Sequence, residues 1–358
     1  MNILWLSHED PLNPENEGSE RIILEIGKRL VKKGHNVTLY TERWKGSSTE
    51  VTLEGINIIR KGNKFTIHFF LPFFLRKRRF DAIINDSGMK FPWVSPLLFG
   101  KSNLILYKNH IPAFIDIDDN YRHGKLRNFK EKIKFIIYKH RTIIVESKAT
   151  EKYLISLGVD RSYIKLIKLG TDAENFYPEK KQEKAQLVYY YGNVRQDKGN
   201  YVLLVYKSLL DIKSDLKLVV IGEGKRINKL KQLSASSGLD IIFEETRDSA
   251  RISELLRQSW VNINFFNNDG KGYSILDASA SGTPTIAYRI LNVSELVKDN
   301  CNGFLVNHLY EFKERIMYTI INEEYLSKCS REMAEKANWD SVADAWNEVL
   351  NKYTELLE

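Results

Sequence analysis

Short runs of β-branched and other apolar residues alternate with amphipathic, charge-bearing stretches along the whole chain. That alternation predicts parallel strands joined by helical crossovers, an α/β fold. In the first half, strands are predicted at Asn2–Ser7, Asn36–Thr41, Ala82–Asn85, Leu104–Tyr107 and Thr142–Glu146, with a helix from about Ser19 to Lys33 stopped by Gly34. In the second half they fall at Leu187–Tyr191, Lys217–Ile221, Ile241–Glu244, Val261–Phe265 and Thr285–Ala287, with helices from there to the C-terminus. The halves share a layout, so two doubly wound, Rossmann-like domains are expected. Pro178 and the polar run Glu179-Lys180-Lys181-Gln182-Glu183-Lys184 suit an exposed linker, which sets the domains at 1–178 and 179–358. The last helix, about 340–358, is expected to pack as a closing element, crossing back to the first domain. Two such domains meeting at their strand ends would leave a cleft, the usual place for a ligand.

The totals agree with this division. A chain of 358 residues exceeds the size at which one core keeps growing, and 43% hydrophobic against 28% charged residues leaves little room for disorder. Cys301 and Cys329, the two cysteines, are expected to be free thiols, as suits a reducing cytoplasm. Met1 to Ser7 reads as a first strand rather than a signal peptide, and export is not expected. The longest apolar stretch, Phe65 to Leu75, is interrupted by His68 and Pro72 and is well short of the roughly 20 residues that span a bilayer. A net charge of +8 favours anionic partners without choosing among nucleotide phosphate, acidic lipid and nucleic acid.

The segment from Asn268 to Pro284 carries the clearest chemistry. Gly270 and Gly272 let the backbone approach a ligand, with Lys271 between them, and a helix starting near Tyr273 or Ser274 aims its free N–H groups at that loop. This is an anion site. Asp269 precedes the loop and Asp277 falls about one turn into the helix, so the two carboxylates can flank one bound molecule. The plainer reading makes them a surface-turn acid and a solvated first-turn acid. Acid, seven residues, acid across such a loop, followed by a small-residue helix ending Gly282-Thr283-Pro284, resembles the retaining GT-B glycosyltransferases of the group 1 family, glycogen synthase and mannosyltransferase-like enzymes. That family has glutamate at both places where this chain has aspartate.

The resemblance continues through Tyr190-Tyr191-Gly192-Asn193-Val194-Arg195-Gln196-Asp197-Lys198-Gly199. There Lys198 matches the diphosphate-binding lysine, and Arg195 stands two places after the position of a family arginine, which Asn193 occupies. Either cation would neutralise a departing diphosphate; the plain alternative is that both coat a solvated helix start. Gly18-Ser19-Glu20-Arg21 is similar to the N-terminal glycine loop, and His110 to the histidine that reaches the transferring sugar. Val220-Ile221-Gly222-Glu223-Gly224 is no dinucleotide fingerprint, because Ile227 stands where the third glycine belongs. Asp116-Ile117-Asp118-Asp119 reads as a helix cap or loop rather than a metal site.

Two stretches of the first domain are basic and aromatic. One is Phe73-Phe74-Leu75-Arg76-Lys77-Arg78-Arg79-Phe80. The other runs from Tyr121 to Arg141 and includes Arg127, Lys130 and Lys134. Both suit an anionic membrane surface, with a solvated face as the alternative; no nucleic-acid motif is present. The resemblance thus implies transfer of a sugar from a UDP- or GDP-type donor to a lipid-linked or glycan acceptor, with retention. Neither metal nor cofactor would be needed. The place of work would be the cytoplasm or the inner face of the membrane. A sugar-nucleotide epimerase of the same fold and a non-catalytic nucleotide-sugar or lipid-binding module remain open at this point.

Overall fold

The computed structural model describes residues 1–14, 16, 18, 20–76, 78–86, 103–108, 140–181, 185–192, 199–223, 225–265, 272–290 and 293–354. The chain forms two compact α/β units. One comprises Met1–Leu169 together with Trp339–Glu358, and the other Gly170–Asn338.

The first unit is built on an eight-stranded sheet. Its strands are β1 (Asn2–Leu6), β2 (Asn36–Thr41), β3 (Glu50–Leu53), β4 (Ile56–Arg60), β5 (Ala82–Asp86), β6 (Leu104–Lys108), β7 (Ile143–Val145) and β8 (Ile164–Leu166), in spatial order 3-4-2-1-5-6-7-8. All pairings are parallel except β3 with β4. Ile3 to Leu6 and every residue of β5 and β6 are buried, the consequence of strands covered on both faces, which therefore read as unbroken apolar runs. The β3–β4 hairpin, not anticipated from the pattern, turns on Glu54 and Gly55, both at positive φ, as a two-residue loop between twisted strands requires.

Helices α1 (Arg21–Lys32), α2 (Ile67–Leu75) and α3 (Lys148–Ser156) belong to this unit. So does the last helix described. Trp346, from the segment Trp339–Thr354, stacks on Trp5 of the central strand with ring centroids 5.2 Å apart, and both rings are fully buried. Arg29 reaches Asp340 at 2.6 Å, and the imidazole of His35 meets Asn347 at 2.7 Å.

The second unit carries β9 (Gln186–Gly192), β10 (Lys217–Gly222), β11 (Ile242–Glu244), β12 (Val261–Asn264), β13 (Thr285–Tyr288) and β14 (Gly303–Val306), all parallel, in order 11-10-9-12-13-14. Counted within the unit this is 3-2-1-4-5-6, the Rossmann strand order. Around the sheet lie α4 (Gly199–Leu210), α5 (Lys225–Ser236), α6 (Ser249–Gln258), α7 (Tyr273–Ala280), α8 (Glu311–Ile321) and α9 (Glu323–Glu335); Trp339–Thr354 is α10.

Two expectations from the sequence are corrected. The division at 178/179 falls instead at Leu169/Gly170, and again at Asn338/Trp339, because residues 170–178 are bound into the second unit. Thr171 donates its backbone N–H to the carbonyl of Ala337 and its hydroxyl to that of Ala334, Phe176 is buried beside Val188, Ile252 and Ala278, and Arg331 donates to the carbonyls of Ala173 and Phe176. Within the run taken for a linker, the Lys181 side chain is buried, with its ammonium 2.7 Å from Glu323 and donating to the carbonyl of Gly282. Burial pushes that ammonium's pKa down, and Glu323 partly restores it. Cys301 and Cys329 are not free thiols: they form a disulfide, their Cα atoms 5.2 Å apart. The turn ahead of β14 and helix α9 are neighbours although 28 residues separate the two cysteines in sequence.

Candidate active site

In the second sheet the chain runs outward from β9 through β10 to β11, then returns to the other side of β9 with β12. At such a reversal the loops leaving the two central strands part in opposite directions and open a crevice at the carboxyl ends of the strands, where open α/β sheets take ligands. Val261 and Asn262 of β12 pair with Leu187 and Val188 of β9, so Gly192 and Asn264 close adjacent strands. The basic motif at 193–198 and the glycine-rich motif at 266–271 follow them in sequence and lie outside the described residues.

The helix that receives the second loop is held with little freedom. Gly272 caps α7 at φ +79°, and a Cβ there would lie 2.2 Å from Leu296 Cδ1; both conformation and space call for glycine. All seven residues from Ser274 to Ala280 are buried. Asn264 at the end of β12 donates to the Ser274 hydroxyl at 3.2 Å, and Asn302 donates to that of Ser279 at 3.2 Å. Gly282, at φ +68°, ends the helix, and Thr283 hydrogen-bonds the carbonyl of Leu256 at 2.7 Å. Helix α9 packs along α7, so the helix is enclosed from the side as well.

Asp277 sits one turn into α7 and is only 1% exposed. The reading of a solvated first-turn acid therefore fails. A carboxylate is costly to remove from water, so an acid buried near the glycine-capped start of this helix is a candidate for holding a ligand. Tyr273 is half-buried and Ser274 buried at the same helix start.

Of the other donor-site candidates, Gly192 ends β9 as expected, and Gly18 lies at φ +95° ahead of α1 in the first unit. Ser19, His110, Asn193, Arg195, Lys198, Asp269, Gly270 and Lys271 lie outside the described residues. Among the basic candidates, Arg76, Arg78 and Arg79 are exposed beyond the end of α2, whereas Lys77, Arg127, Lys130 and Lys134 lie outside the described residues, as does Asp116 to Asp119. No helix among the described residues is long and apolar enough to cross a membrane.

The first unit has its own reversal, between β1 and β5, and polar residues that no sequence motif marks come together there. Ser7 donates to Asp86 at 2.9 Å; the His8 ring lies 3.4 Å from the Glu42 carboxylate and 5.8 Å, centroid to centroid, from His68. Burial, then the proximity of His8, holds the His68 pKa below its ordinary value against the opposing pull of Glu42. Asp10 takes two hydrogen bonds from the Arg60 guanidinium, at 2.5 and 3.1 Å, and a third from the Trp44 indole, which fixes the loop after β1. The sequence signal for Ser7, His8 and Glu42 was their place at the carboxyl end of a strand, as in Leu6-Ser7-His8 and Thr41-Glu42, whereas His68, in the first turn of α2, carried none.

Comparison with known proteins matches both units. The family described as glycosyl transferases group 1 matches residues 172–353, and that described as glycosyltransferase family 4 matches residues 16–175. A glycosyltransferase of Methanocaldococcus jannaschii, itself uncharacterised, is 25% identical over 317 residues, covering 81% of this chain and 80% of its own. Sucrose-phosphate synthase from Thermosynechococcus elongatus superposes with a TM-score of 0.81 at 18% identity, covering 99% of each chain. A protein from Anabaena solved in complex with UDP-glucose gives a TM-score of 0.77 at 14% identity, covering 98% of this chain and 100% of its own. At those identities the structural likenesses establish the fold, the GT-B pairing of two Rossmann-like domains.

Proposed function

Because the chain belongs to the glycosyl transferases group 1 family and is accordingly a glycosyltransferase, we propose that it moves a sugar from a nucleotide-diphosphate donor to a lipid-linked or glycan acceptor with retention of configuration. One observation supports this most: the buried Asp277 on a glycine-capped helix at the reversal of the second sheet. Asp277 would accept hydrogen bonds from the ribose hydroxyls, and the Gly270–Ser274 segment with Lys198 and Arg195 would hold the diphosphate. Asp269 would orient the sugar. The UDP-glucose held by the Anabaena neighbour supports a uridine or other nucleoside-diphosphate sugar.

The family resemblance supports front-face displacement, which requires no dedicated nucleophile. The bond between the anomeric carbon and the diphosphate oxygen breaks, the leaving phosphate takes the acceptor's proton, and the acceptor oxygen bonds the anomeric carbon. Cations and helix N–H groups then stabilise charge where it develops. No metal or cofactor enters the scheme. The proposed place of work is the cytoplasm, against the inner face of the membrane.

A panel of UDP-, GDP- and ADP-sugars, each with and without a lipid extract, tests the reading. Acceptor-dependent release of nucleotide supports it; donor isomerisation without acceptor would make the protein an epimerase, and binding without turnover a non-catalytic module. In the same assay Lys198→Ala lowers turnover by more than about tenfold with folding intact, and near-normal turnover would remove Lys198 from the scheme.

A further inference from the structure

Helix α2 has the sequence Ile67-His68-Phe69-Phe70-Leu71-Pro72-Phe73-Phe74-Leu75. Its inner face is Ile67, Leu71 and Phe74, all buried; Phe74 packs on Tyr40 with centroids 4.8 Å apart, and the Tyr40 hydroxyl donates to the carbonyl of Ile67. The outer face is not polar, as it would be on an ordinary surface helix. Phe69 is 68% exposed, Phe73 56% and Phe70 41%, and Phe65, just ahead of the helix, is 57% exposed. The ring of Phe69 lies 5.8 Å from that of Phe70 and 5.5 Å from that of Phe73, so the aromatics form one contiguous patch.

Cations frame the patch at both ends. Lys61 and Lys64 are exposed on one side and Arg76, Arg78 and Arg79 on the other. Lys64 lies over the Phe65 ring at 5.2 Å and Arg76 over Phe73 at 6.0 Å. Between Lys61 and Phe80 the sequence has no aspartate or glutamate. An aromatic cluster left in water is unusual unless something covers it. A second copy of the chain would bring like-charged rims together in a symmetric contact, a penalty that an acid-free border cannot offset. Rings that enter the acyl boundary while lysines and arginines stay among acidic headgroups match an anionic bilayer, and nine residues are far too few to cross one.

We propose that α2 is a membrane-docking element, seating Phe65, Phe69, Phe70 and Phe73 in the interface of an anionic leaflet with Lys61, Lys64, Arg76, Arg78 and Arg79 against the headgroups. This deepens the membrane-surface part of the function proposed above and rests on it only for the purpose of docking, the capture of a lipid-borne acceptor. The physical claim stands apart from catalysis, and so does its test.

The full chain, without any sugar nucleotide, is sedimented with vesicles of phosphatidylcholine mixed with phosphatidylglycerol and with vesicles of phosphatidylcholine alone. The protein should partition into the mixed vesicles, and high salt should weaken the binding. The double variant Phe69→Ser/Phe73→Ser should lose about tenfold or more, and the triple variant Arg76→Gln/Arg78→Gln/Arg79→Gln about a hundredfold. Both should keep the wild-type melting temperature and the wild-type rate of transfer to a soluble acceptor. Undiminished binding of the phenylalanine variant overturns the proposal, as does equal binding to neutral vesicles. Self-association that the phenylalanine variant abolishes, without vesicle binding, assigns the patch to a second copy instead. A catalytically inert protein that still docks would sink the glycosyl-transfer reading and leave this one standing.

Discussion

Helices α2 and α7 are of nearly equal length and are buried in inverse proportion to their polarity. α2 is almost wholly apolar yet shows water three phenylalanines; α7 contains two serines and an aspartate yet has seven of its eight residues buried. Hydropathy alone would exchange their places. Each exception has a stated reason: the serines of α7 are met by Asn264 and Asn302, and the outer rings of α2 lie on a surface whose cations suit a lipid interface. In this chain, a mismatch between residue type and environment marks where a ligand or a surface is expected.

Substitutions can break or sharpen that contrast. The largest effect should come from Asp277→Asn, which keeps the shape and removes the charge. Transfer should fall more than about a hundredfold while the melting temperature holds or rises, because a buried carboxylate has been neutralised. Loss of folding with unchanged activity per folded molecule would make Asp277 a structural acid and undo the contrast at its polar end. Next, Leu71→Ala on the inner face of α2 should cost about 2–5 kcal/mol in denaturant unfolding, as for any large core side chain. The smallest effect should be that of Phe69→Ser, on the outer face of the same helix, within about 0.5 kcal/mol of wild type. Equal costs for Leu71 and Phe69 would mean that the outer face is covered within the protein itself.

Much of this was legible in the sequence, for identifiable reasons. The central strands of both sheets are buried on two faces and so spell apolar runs, and Gly272 with Gly282-Thr283-Pro284 spells out a helix between two glycine turns. Those features are local. The hairpin was missed because Glu50–Leu53 is half in solvent and carries no such run. The polar run at 179–184 reads as a linker by composition, yet Lys181 is held by Glu323, some 140 positions later, and composition says nothing about such a partner. The disulfide and the meeting of His8, Glu42 and His68 have the same character, since a single residue on one element has no spacing to betray a partner on another. Phe65 to Leu75 was plainly apolar, but which rings point outward is decided by Tyr40 and the inner row, not by the run itself.

The stacking of Trp346 on Trp5 sets an order of events during synthesis. The first unit begins to leave the ribosome before the second exists, but the helix that covers its central strand is translated only after residue 338. Until then the nascent sheet exposes an indole surface. A chain stalled or cut within the second unit would therefore release a complete set of first-unit strands without their cover, a species fit for chaperones or proteases rather than for work.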